Sequence, residues 1–344
     1  MAAGRLIAIS VLALAALSLS SRIAAQRQQD GLPDDVGPML DRYQRGEFTA
    51  AVAEAARTTR DLRTVIAQLT TKIPTVNPNG SDSQLRRLTI ATFSLEIVMA
   101  TRNSLFRDSG KLLLEWACSL LRRSETPLPA ERLWHQAAFG VIEGAADWEA
   151  LDKHVAHAAK RFPDDPRLPL TMALVWELRS WPDDRREGAG ESGPPELVPA
   201  LRLAVVHAAV RDETLLRWGF FELRQGQAKA ALDHFDAIGA TDDLFIDYLR
   251  HLFRGRALER TNHIPDAIEA YRRAALVQPS AQTARLALAG ALVANQQRLE
   301  AGSLLDTVLA GPMDVLGDPW FLYGAADQRF YPQVMTNLRR EVRR

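Results

Sequence analysis

The sequence predicts an all-helical protein made of antiparallel helix pairs stacked in an array. Three observations carry that expectation. Apolar residues along the 344-residue chain recur at spacings of three and four, and no stretch sustains the strict alternation of a half-buried strand. Breakers punctuate this pattern: "NPNGSD" at 77–82, "ETPLP" at 125–129, "FPDDP" at 162–166, "GATDD" at 239–243 and "VQPS" at 277–280. Small residues also recur at a fixed distance. Ala267, Tyr271 and Ala274 return 34 residues later as Ala301, Leu305 and Val308, and Gly255 and Leu258 return as Ala289 and Leu292.

Taken in order, the first element is an export signal. Arg5 precedes an apolar run from Leu6 to Leu19, and small and polar residues lead to Ile23-Ala24-Ala25. Residues 1–25 are therefore expected to be a signal peptide cleaved after Ala25. The run of about fourteen residues falls short of the roughly 20 that a spanning helix needs. That favours cleavage over the alternative, an uncleaved anchor, and the lack of a nearby cysteine excludes a lipid-anchored form. The expected location is periplasmic or secreted, with no membrane span in the mature chain. Only five of the 42 basic residues are lysine, and with abundant alanine this reads as the coding bias of a GC-rich bacterial genome.

Residues 33–130 carry the weakest repeat signal. "YQRGEFTAAVAEAA" at 43–56 shows the Gly-then-Ala turn through Gly46 and Ala51, and 83–124 reads as two long helices. Residues 131–315 hold the clearer units, one of them from Trp134 and Ala138 to Ala150. The segment 181–199, "WPDDRREGAGESGPPELVP", is charged and rich in Gly and Pro, as a loop insertion is. Residues 316–344 are expected to close the array, with Trp320, Phe321, Tyr323, Phe330 and Tyr331 covering the last pair.

The spacing has a physical reason. Antiparallel helices approach closely only where their contact residues are small. Gly255 and Ala267 supply that contact within one pair, and Ala274 lets the next pair nest. Tyr271, one turn beyond Ala267, fills the wider space, and Pro279 stops the second helix. A single pair leaves an apolar face bare, and stacked neighbours cover it.

On these residues the chain resembles the tetratricopeptide-repeat family. Gly255, Leu258, Ala267, Tyr271, Ala274 and Pro279 carry the best unit. Ala289, Leu292, Ala301 and Leu305 follow it, and Trp218, Gly219, Gly226, Ala231 and Phe235 precede it. Two positions depart from the pattern: His251 where the family has a bulky aromatic, and Arg254 where it has an aliphatic residue. The resemblance implies a TPR-like α-solenoid, a right-handed superhelix of antiparallel helix pairs with a C-terminal cap. It also implies a binding groove lined by the first helix of each pair. Carried over residue by residue, the groove falls on Leu249, Leu252, Arg256, Glu259 and Arg260, on Glu213, Leu216, Phe220, Leu223 and Arg224, and on His135 and Phe139. Apolar residues mixed with Arg and Glu suit an extended peptide, because Arg reads carboxylates in a forked geometry.

Chemistry beyond binding finds little support. Basic and acidic residues balance at 42 each, so no nucleic-acid partner is expected. "GAGESG" at 188–193 lacks the Gly-Lys-Ser/Thr ending of a nucleotide loop. The one cysteine, Cys118, excludes an internal disulfide and reads as a buried structural thiol. His154 and His157 share a helix face, but two ligands do not complete a metal site. No cofactor is expected. The function expected is a non-enzymatic interaction scaffold or adaptor with a protein or peptide ligand. Two alternatives stay open: an enzyme or enzyme subunit with its site in 33–130, and a passive structural spacer.

Overall fold

One turn geometry is used four times among the described residues. Gly46, Gly226, Asn262 and Gln296 all have positive φ, between 62° and 92°. In each case the next residue's N–H donates to the carbonyl five residues back, as from His263 to Leu258 (2.8 Å) and from Gln297 to Leu292 (2.8 Å). This is the capping pattern that ends a helix and satisfies its last carbonyls. Glycine adopts the left-handed conformation at Gly46 and Gly226 without cost, while Asn262 and Gln296 reach it with a side chain. Five residues after each turn residue comes a buried alanine: Ala51, Ala231, Ala267 and Ala301, none more than 1% exposed.

The computed structural model describes residues 36–343 except 59–61, 76, 78, 102–106, 124, 145–147, 180–194, 312–316 and 325–329. The proposed signal peptide, 1–25, lies outside the described residues, as does most of the expected 181–199 loop. Leu197–Pro199 of that loop are instead the first turn of a helix. Pro199 is tolerated there because the first helical N–H groups have no intrahelical partner.

The described residues form 17 α-helices and one 3-10 turn, with no strand among them. No described helix is long and apolar enough to cross a membrane. The helices are α1 (Gly37–Gln44), α2 (Phe48–Thr58), α3 (Leu62–Thr71), α4 (Ser81–Ala100), α5 (Arg107–Leu121), α6 (Glu131–Gly144), α7 (Trp148–Arg161), α8 (Arg167–Arg179) and α9 (Leu197–Val205). They continue as α10 (Arg211–Arg224), α11 (Ala228–Asp236), α12 (Leu244–Arg260), α13 (Ile264–Val277), α14 (Gln282–Ala294), α15 (Arg298–Ala310), α16 (Pro319–Tyr323) and α17 (Tyr331–Val342). The chain divides into two compact units, one of residues 164–326 and one that joins 36–163 to 327–343.

In the 164–326 unit each helix from α8 to α15 packs on the next, the first helices α10, α12 and α14 also touch in sequence, and α16 packs on α12. Gly219 lies against Phe235 and Gly255 against Tyr271 so closely that a β-carbon at either glycine would come within 2.5 Å of the ring. The third pair, α14 and α15, packs in the same order, with Ala289 buried on α14. The segment 316–344 does not stay together. Asp318–Tyr323 belongs to this unit, whereas α17 joins the other, packing Met335, Leu338 and Val342 toward α4 and α6. Arg339 of α17 donates to the buried carboxylate of Glu96 (Nε to Oε1, 2.9 Å), which also accepts the Tyr43 hydroxyl (2.6 Å).

The other unit pairs α1 with α2, α4 with α5 and α6 with α7. α4 is its central helix, buried along nearly its whole length.

Candidate functional site

The predicted groove residues are mostly inside the protein. Leu216, Phe220, Leu223, Leu249, Leu252 and Glu213 are buried, and the five apolar ones belong to one hydrophobic cluster. His135 and Phe139 are buried in the other unit. This corrects the expected exposure of eight of the twelve. A spacing of three and four on a first helix serves contact between pairs as well as it serves a ligand, so the pattern alone does not separate the two. The remaining four are more accessible. Arg256, Glu259 and Arg224 are half-buried; Glu259 accepts the Tyr271 hydroxyl and Arg260, which is exposed, donates to the Leu223 carbonyl (2.6 Å).

Part of the first-helix face is covered by α16. The aromatics Trp320 and Tyr323 were expected over the last pair. They lie instead on the face shared by α10 and α12. Phe220 stacks on Phe253 (centroids 4.2 Å apart), and Tyr323 meets both rings edge-on at 5.0 and 5.4 Å. Trp320 lies edge-on to Phe253 at 5.7 Å, with the Arg256 guanidinium 5.1 Å from its ring centre. Aromatic edge-to-face pairs and a cation over an indole each add to plain burial.

Two buried polar groups fix the segment's ends. Asp318 is 1% exposed and accepts three bonds: from the Tyr248 hydroxyl (3.0 Å), the Trp320 N–H (3.1 Å) and the Thr283 N–H (2.8 Å). The last places its charge at the N-terminus of α14, where the helix dipole favours an anion. Burial first, then the neighbouring Asp318 charge, raises the Tyr248 hydroxyl well above its ordinary pKa, so it stays a donor. At the other end the Tyr323 hydroxyl donates to Glu177 of α8. Glu177 also accepts from Arg217 (3.1 Å), which binds Glu213 as well (3.0 Å) and stands 4.7 Å over the Tyr323 ring. Burial works against the Arg217 charge, but the two carboxylates outweigh it and hold the guanidinium cationic.

A second cluster lies in the other unit. The sequence paired His154 with His157 only. The fold brings in Cys118 from α5 and His135 from α6. The Cys118 thiol lies 3.3 Å from His154 Nδ1, and His154 Nε2 lies 3.2 Å from His135 Nδ1. Trp134 and Phe139 stand against His154, and Phe162 against His135. Among the described residues no group of three such side chains is arranged to hold a metal ion. Burial pushes the thiol up to about 11 and His154 down to about 3, with His157 and Arg122 adding to the latter. A thiol held protonated beside an imidazole that resists protonation is a poor nucleophile and base pair.

This cluster predicts acid sensitivity. His154 has a depressed pKa in the folded chain and one near 6.5 when unfolded. The unfolded state therefore binds the extra proton, and stability is present above about pH 6.5 and lost as pH falls toward the folded value. The steepest loss is about 1.4 kcal/mol per pH unit for each such histidine. Urea unfolding between pH 7 and 5, followed for wild type and His154→Gln, checks this: the variant is expected to be weaker at pH 7 and to show the shallower pH dependence.

Comparison with protein-family models and with curated proteins returns no match for this chain.

Proposed function

We propose that the protein is a tetratricopeptide-like solenoid, a right-handed superhelix of helix pairs, that acts as a non-enzymatic scaffold outside the cytoplasm and binds a protein or peptide segment. One observation supports this reading most. The first helices of the 164–326 unit already hold a short polypeptide segment, Asp318–Tyr323, by aromatic contacts and by buried groups at its two ends. The repeated turn and the buried alanines at Ala231, Ala267 and Ala301 support the solenoid. Stacked pairs of this kind present first-helix side chains in register, which suits an extended ligand. The apolar run before Gln26 supports export.

Site-specific photo-crosslinking in the native host tests the reading. A crosslinker at Arg256 or Arg224 is expected to capture one defined partner protein, while one at the exposed Lys229 of α11 captures none. Equal capture at all three positions, or no partner at any, would leave a passive spacer as the better description.

A further inference from the structure

The segment Asp318–Tyr323 is held in a way that a foreign segment of the same chemistry could reproduce. Its own first and last side chains, Asp318 and Tyr323, are buried, whereas Pro319, Trp320, Phe321 and Leu322 remain half-exposed. The groups that receive it sit on helices that each pack on their own neighbours in the chain: Tyr248 and Phe253 on α12, Phe220 and Arg217 on α10, Thr283 on α14, Glu177 on α8. Withdrawing the segment leaves Arg217 between Glu177 and Glu213, and leaves the Tyr248 hydroxyl accepting from the Ala284 N–H (3.2 Å). The face would open without stranding a buried charge.

The receiving face also has a polarity. At one end, a phenol hydroxyl and the Thr283 N–H at the start of a helix receive a carboxylate. In the middle, Phe220, Phe253 and the Arg256 guanidinium receive an indole. At the far end, Glu177 takes a hydroxyl hydrogen bond and Arg217 covers the ring that carries it.

Resting on the scaffold reading above, we propose that Asp318–Tyr323 is a tethered occupant of the recognition face. The partner supplies a segment of matching chemistry: an acidic residue followed at the second position by a large aromatic and at the fifth by a tyrosine. That partner segment displaces the tethered one. A tethered competitor acts at a high effective concentration, set by the length and stiffness of the chain that holds it. The occupied face therefore rejects weak, non-specific segments and yields to one that is presented tightly or in several copies.

The test uses the full chain and a fluorescein-labelled peptide of residues 317–324, Gly-Asp-Pro-Trp-Phe-Leu-Tyr-Gly. Fluorescence anisotropy is expected to show saturable binding to the Trp320→Ala/Tyr323→Ala variant, with wild type weaker by about ten-fold or more. The same peptide with Asn for Asp is expected to lose most of that binding. Hydrogen exchange on the unmutated chain keeps the test decisive if the double variant is poorly folded. Saturating peptide should speed exchange at the Trp320 amide and leave the Thr283 amide protected, because the incoming carboxylate takes Asp318's place. A double variant of wild-type helicity that binds the peptide no better than wild type overturns the proposal. So does a Trp320 amide that peptide does not affect. Failure is separable from failure of the scaffold reading: partner crosslinks at Arg256 with no peptide displacement reject the tethered occupant alone.

Discussion

Replacing Arg217 with Met is expected to destabilise the 164–326 unit by about 3–5 kcal/mol at neutral pH, one of the largest single losses in the chain. The guanidinium is 2% exposed and is the cation between two carboxylates on different helices, Glu177 of α8 and Glu213 of α10. Met fills much of the volume but leaves both carboxylates buried and facing one another. One feature separates this mechanism from a simple packing defect. Adding Glu177→Gln and Glu213→Gln to Arg217→Met should recover most of the stability, since a buried ion group replaced as a whole is often neutral. Urea denaturation of the three chains at pH 7 measures it. Arg217→Lys should fall between, because one ammonium does not reproduce the fork that reaches Glu213 and Glu177 together.

Tyr271→Ala is expected to cost a similar amount, about 3–5 kcal/mol, for a different reason. The ring is fully buried on α13 and fills the space opposite Gly255, so its removal leaves a cavity at the crossing of α12 and α13. Tyr271→Phe keeps the ring and loses the hydroxyl with its bond to the half-buried Glu259; it should cost about 1 kcal/mol. If Tyr271→Ala and Tyr271→Phe proved equally harmful by thermal unfolding, the hydroxyl would be the main contribution and the packing account would fail. The residues are also coupled. In a Tyr271→Ala background, Gly255→Ala should be nearly harmless, because the ring that a β-carbon would strike is gone.

The array of pairs was legible in the sequence because it depends on local choices. A residue that tolerates positive φ, then alanine five positions later, then an aromatic or Leu four beyond that, recurs around Gly226, Asn262 and Gln296. Each is set by sterics within about twelve residues. The candidate site was less legible, since its decisive bonds join residues far apart in the chain. Nothing local tells Tyr248 that its acceptor is Asp318, or Glu177 that its donor is Tyr323. The apolar residues of the first helices, Leu216, Phe220, Leu249 and Leu252, read as a groove or as a covered face with equal ease. The path of the tail decides between the two. The histidine cluster was half-legible: His154 and His157 share a helix, but His135 and Cys118 arrive from α6 and α5. Of the tail's aromatics, Trp320 and Tyr323 lie on the face of α10 and α12, not over the last pair where they were expected. Asp318 decides that face, because its carboxylate caps α14 as well as α16.

Small residues at a fixed period, letting successive hairpins nest, are the premise of every step from turn to site. Two glycines test it with the same substitution. Gly255 and Gly290 both lie inside first helices, but a β-carbon at Gly255 would come 2.4 Å from the Tyr271 ring while at Gly290 it would meet nothing within 4 Å. Chemical denaturation of Gly255→Ala and Gly290→Ala is the most direct measurement. The expected result has opposite signs: Gly255→Ala loses about 1–3 kcal/mol from overpacking, and Gly290→Ala gains about 0.5–1 kcal/mol from helix propensity. A Gly255→Ala chain as stable as wild type, or one stabilised like Gly290→Ala, would contradict the nested packing.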